Sequence, residues 1–78
     1  MGRLMFYKAT YHRTEGKRVL EILCKDKDYP SGKDWDIQAI FEVKMFGRLK
    51  LLSCNRFECI FEMEELAKYY ILGCIHLL

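Results

Sequence analysis

Hydrophobic and polar residues alternate almost without a fault from Trp35 to Phe46. Trp35, Ile37, Ala39, Phe41, Val43 and Met45 fall on one side of an extended strand, and Asp36, Gln38, Glu42 and Lys44 on the other. Ile40 and Phe46 are the exceptions. A period of two with one apolar face describes a strand lying between a core and water, which belongs to a mostly antiparallel sheet.

The same reading extends to both sides. Leu4 to His12 forms a first strand, with Met5, Tyr7, Ala9 and Tyr11 on one face and Lys8, Thr10 and His12 on the other. Arg13 to Lys17 is a hairpin loop in which Gly16 supplies the left-handed backbone. Arg18 to Lys25 returns with Leu20, Ile22 and Cys24 on one face, and Val19 and Leu23 on the other beside Glu21 and Lys25. Both faces therefore hold apolar area, as a central strand requires. Lys25 to Asp34 is a loop that alternates in charge and contains Pro30, Ser31 and Gly32. After the Trp35 strand, Gly47 turns the chain into Leu49 to Cys54, and Asn55-Arg56 makes a further turn.

Phe57 to Phe61 is expected to be a fifth strand, the alternative being a helix that runs back to Phe57. From Glu62 to Leu72 the period changes to that of a helix, with Met63, Leu66, Tyr69 or Tyr70, and Leu72 on its apolar side. Glu62, Glu64 and Glu65 suit its positive N-terminal end, and Gly73 is placed to stop it. Cys74 to Leu78 reads as a short final strand, tied down in the sheet or against a second copy because it is apolar to its last residue. The expected fold class is α+β, with topology β-β-β-β-β-α-β: an antiparallel four- to five-stranded sheet with one C-terminal helix packed on one face and a short final strand.

Size and composition narrow the picture further. Seventy-eight residues make a single domain, residues 1–78, and a chain this short buries about 60–65% of its unfolded surface. With 51% hydrophobic and 14% aromatic residues it has material for a core and lacks the profile of a disordered chain. A net charge of +2 does not require a polyanionic partner. No apolar run reaches the roughly 20 residues of a membrane span. The N-terminus lacks a signal-peptide core, and Phe6 stands where a myristoylation signal has Ser or Thr. A cytoplasmic protein with Cys24, Cys54, Cys59 and Cys74 as thiols is the resulting expectation, with no membrane partner.

The chemistry-bearing residues make no strong constellation. Cys54-x4-Cys59 and Cys74-x-His76 depart from zinc-finger and ribbon spacing. A thiolate site would need His12 or His76 beside a cysteine and a third orienting group. The aspartates of the 25–36 region lack the glycine and terminal glutamate of a calcium loop. No metal, cofactor or enzymatic activity is expected. Lys8, His12, Arg13, Lys17 and Arg18 gather at the first hairpin, and Lys44, Arg48, Lys50 and Arg56 at later turns. With Tyr7, Tyr11 and Phe46 on a shared sheet face they would suit nucleic acid, the second choice of partner.

The favoured expectation is a binding module that acts by covering a surface of a larger protein or ribonucleoprotein complex. Free-standing domains of this size and plainness occur among phage and mobile-element inhibitors of host defence, anti-CRISPR proteins among them, and the analogy is one of size and class alone. The expected contacts are Tyr11, Arg13 and Lys17, then Tyr29, Lys33 and Trp35 in the loop, with Glu64, Glu65 and Lys68 as a second patch, since tyrosine, tryptophan and arginine dominate interface energies. Two-fold self-association through an edge strand or the helix face is a further expectation, and a zinc-stabilised domain the remaining alternative.

Overall fold

A computed structural model describes residues 4–27 and 37–75, with side chains in the helix as far as Gly73. It contains strands β1 (Leu4–Thr14), β2 (Lys17–Asp26), β3 (Ile37–Val43) and β4 (Leu49–Cys54), followed by helix α1 (Ile60–Ile75). Among the described residues the strands form one antiparallel sheet in the order β1-β2-β3-β4, with α1 laid across one face. This is an α+β fold.

Alternation places the core. Leu20, Ile22 and Cys24 of β2 and Ile37, Ala39, Phe41 and Val43 of β3 are buried together, and their intervening neighbours point to the open face. From the other layer come Cys59, Met63, Ala67 and Ile71, a row four residues apart that follows one side of the helix. The row begins before α1 proper, at a single 3-10 turn, Phe57–Cys59. Phe57 to Phe61 is therefore not a fifth strand. A five-residue apolar run fits either period, and the row that continues through Met63 decides for the helix. Gly73 does not end it, because α1 continues to Ile75; Cys74 and Ile75 are thus helical rather than the start of a final strand. His76 to Leu78 lie outside the described residues. Leu72 and Tyr69 point outward, and the inward positions belong to Leu66 and Tyr70.

Two irregularities re-aim side chains. In β1 the register with β2 shifts between Phe6 and Lys8, so Tyr7 is an extra residue and the alternation changes phase there. Leu4 and Phe6 thus share a face with Ala9 and Tyr11, whereas Met5 lies opposite; the simple grouping of Met5, Tyr7, Ala9 and Tyr11 does not hold. A second shift lies in β4, where Leu52 is the extra residue between Leu51 and Ser53. Both edge strands carry a bulge, which discourages continuous pairing with another chain.

The turns differ in strain. Thr14-Glu15-Gly16-Lys17 closes β1 and β2 with φ of 51° and 77° at its two central residues, the left-handed pair that matches strand twist. At the other end of the sheet, Asn55 extends the ladder beyond β4. Its amide donates to the Gln38 carbonyl at 3.1 Å, and its Oδ1 accepts from the Gln38 amide at 2.9 Å. Arg56 then begins the 3-10 turn, with its carbonyl accepting from the Cys59 amide at 3.0 Å and from the Cys54 thiol at 3.3 Å. Its Nη1 donates to Oδ2 of Asp26 at 3.0 Å, and that carboxylate is fully buried. The end of β2 is thereby fastened to the start of the helix. Among the described residues no helix is long and apolar enough to cross a membrane.

Candidate functional interface

The register places the two cationic turns at one end of the sheet. Val19 of β2 pairs with Glu42 of β3, so the hairpin at Glu15-Gly16 and the turn after Val43 lie beyond the same edge of the ladder. Arg13 and Lys17 are exposed at the hairpin. Arg13 joins Tyr11, His12 and Arg18 around an open concavity of about 270 Å³. Tyr11 is half-buried and packs against the rim of the core, so it braces this corner as well as lining it.

The β3–β4 turn is the more unusual element. Alternation would continue Met45 into the core, but β3 stops at Val43 and a 3-10 turn, Met45–Gly47, takes over. Its closure uses the Gly47 amide on the Lys44 carbonyl at 3.0 Å and the Lys44 amide on the Arg48 carbonyl at 2.6 Å. Met45 is 65% exposed and Phe46 91% exposed. Phe46 holds φ 63° and ψ 24°, a left-handed conformation rare for a bulky L-residue. The backbone is therefore strained at a residue whose aromatic side chain stands in water, two positions along the chain from Lys44 and from Arg48.

The same turn meets the helix. Lys44, Arg48, Lys50 and Lys68 surround a concavity of about 460 Å³ in which Glu64 is the lining carboxylate. Glu65 lies around the helix from it and lines a different, mostly apolar groove of about 480 Å³ with Leu4, Lys27, Phe61, Leu66 and Tyr69. The patch expected from Glu64, Glu65 and Lys68 is thus divided between two surfaces, with Lys68 bridging to Glu65 at 3.6 Å. Tyr29, Lys33 and Trp35 lie outside the described residues. Tyr7, Tyr11 and Phe46 do not share an exposed sheet face: Tyr11 is on the helix-covered side, Tyr7 is the bulge residue and Phe46 sits in the turn. Lys44, Arg48 and Lys50 were legible as charges, but the presentation of Met45 and Phe46 was not.

Among the described residues no three His, Cys, Asp or Glu converge as a metal site, and Cys24, Cys54 and Cys59 carry no disulfide. Cys74 and His76 are beyond the described side chains. Burial pushes the Cys24 thiol from 9.0 up to about 11. A hydrogen bond from the Tyr7 backbone opposes that rise, and Cys59 and Glu62 add to it. The folded state therefore keeps a proton that the unfolded chain loses above pH 9, so stability falls as pH rises from 9 to about 11 and levels off beyond. The expected loss is about 2–3 kcal/mol over that window. It is measured as the difference in urea midpoint between the wild type and Cys24→Ala, whose profile lacks this component. Equal slopes for the two would remove Cys24 as its source.

Comparison of the chain with protein-family models, with curated proteins and with solved structures returned no match.

Proposed function

We propose that this chain is a non-enzymatic binding module, acting in the cytoplasm by covering a surface of a larger protein or ribonucleoprotein assembly. Inhibition of a host defence complex by a phage or mobile-element protein is the biological setting that suits a module of this size. The observation that carries the reading is Phe46, nearly fully exposed and held in a left-handed turn between two cations. Strained backbone and exposed aromatic area are both unfavourable in the free protein and persist at sites where a partner uses them. The partner surface that complements this end has an apolar socket rimmed by carboxylates or phosphates, with Arg13 and Lys17 reaching the same rim.

A second reading, direct nucleic-acid binding, is favoured by the concavity where Lys44, Arg48, Lys50 and Lys68 outnumber Glu64. One experiment separates the two. Tagged protein is used to capture partners from a bacterial lysate, read by mass spectrometry and ultraviolet absorbance across a salt series. The protein-binding reading expects one stoichiometric protein, retained at high salt by the wild type and lost with Phe46→Gly. Nucleic acid that elutes steeply with salt would replace it with the second reading, because phosphate contacts release counterions.

A further inference from the structure

Helix α1 carries exposed apolar side chains on the side away from its core row, where Phe61 and Tyr69 border the groove that ends at Leu4 of β1. Cys59, Met63, Ala67 and Ile71 face the core. At 3.6 residues per turn, Phe61, Glu65, Lys68 and Leu72 line up on the opposite side. Their spacing of four, three and four residues is that of a coiled-coil seam. Phe61 is 69% and Leu72 59% exposed, and Tyr69 beside them is 73% exposed. Three large apolar side chains left in water on one helix face, with an opposite-charge pair between them, form a surface that a partner can cover.

We propose that a second copy of the chain covers this stripe, with the two helices antiparallel about a two-fold axis between Glu65 and Lys68. The charges select this occupant and this register. Residues equally distant from the axis meet, so Glu65 faces Lys68 of the partner subunit and Phe61 faces Leu72 of the partner subunit. Two apolar layers, each about 8 Å from the axis, flank two opposite-charge pairs. A parallel pair would set Glu65 on Glu65 and Lys68 on Lys68. Sliding the antiparallel pair to oppose Phe61 with Tyr69 would also bring the two Glu65 carboxylates together. Both arrangements are opposed by like-charge repulsion, and a polar layer of this kind specifies register in helical seams. Within one protomer Glu65 Oε2 already lies 3.6 Å from Lys68 Nζ, with both side chains about half exposed. The dimer adds a second ammonium to each carboxylate without burying either charge alone.

Charge reversal tests the register directly. Lys68→Glu would line the seam with four carboxylates and Glu65→Lys with four ammonium groups. Each variant alone is expected to self-associate at least tenfold more weakly than the wild type in sedimentation equilibrium over a concentration series. Mixed in equal amounts, the two restore both cross pairs and are expected to form a heterodimer within about threefold of wild-type affinity. Circular dichroism checks that both variants keep the fold, as exposed substitutions should. A wild type that stays monomeric throughout the series overturns the proposal. So does a single variant that dimerises like the wild type, or a mixture that does not associate.

Discussion

Alanine at Arg56 is expected to lower the stability of the domain by about 2–3 kcal/mol, far more than most substitutions at partly exposed arginines. The reason lies in its partner. Asp26 ends β2 with its carboxylate fully buried, and Arg56 Nη1 reaches it at 3.0 Å from the extended residue that precedes the 3-10 turn. Removing the guanidinium leaves a buried carboxylate without that cation, a loss worth about 3–5 kcal/mol for a fully enclosed pair. Arg56 keeps 24% of its side chain in water, which places this pair below that range. A domain of this size has about 4–12 kcal/mol in total, so the variant would unfold at a much lower urea concentration. Asp26→Ala is expected to cost less, since the arginine left behind can turn to solvent. Equal midpoints for wild type and Arg56→Ala would show that the clasp contributes nothing to stability.

That clasp was invisible in the sequence, whereas the layer it fastens was not. Ile37 to Val43 and Leu20 to Cys24 could be placed because a period of two survives wherever a strand is regular. The reading failed where regularity breaks. One additional residue at Tyr7 reversed the faces of the first part of β1, and no residue type there announces a bulge. Met45 continued the alternation on paper but lay beyond the last paired residue of β3. Phe57 to Phe61 was too short to show its period, and only the row from Cys59 through Met63, Ala67 and Ile71 reveals the helix. Gly73 suggested a stop by residue type, yet a glycine on the exposed side of a helix interrupts nothing except by propensity.

The candidate interface divides in the same way. Arg13, Lys17 and Lys68 could be expected at the surface, where they lie, because long cations at turns and on helix surfaces stay in water. Which of them share an end of the molecule follows from strand register, a long-range property that no local pattern encodes. The outward stripe of α1 could be drawn on a helical wheel only after the helix was known to include Phe61. With Phe57 to Phe61 read as a strand, and the helix back to Phe57 only as the alternative, Phe61 could not be aligned with Glu65, Lys68 and Leu72.

Glycine at Phe46 should make the protein more stable and a worse binder, and that opposed pair of effects separates a functional strain from a merely tolerated one. At φ 63° a phenylalanine sits in a region disfavoured by about 1–2 kcal/mol for L-residues. Glycine adopts it freely but loses more chain entropy on folding, so the net gain is about 0.5–1 kcal/mol. The side chain is 91% exposed, so its removal takes almost no packing from the free protein. In the complex proposed above the same ring would fill the partner's socket, where loss of a central aromatic contact costs about 2 kcal/mol or more, roughly a thirtyfold fall in affinity. Phe46→Asn, which also tolerates the left-handed turn, should behave like glycine, and Phe46→Leu should keep the strain and part of the binding. Urea midpoints and titration of the captured partner read the two effects separately. A midpoint that rises while affinity stays level would leave Met45 and Phe46 outside the contact, and the cations around them would then have to hold the partner on charge alone.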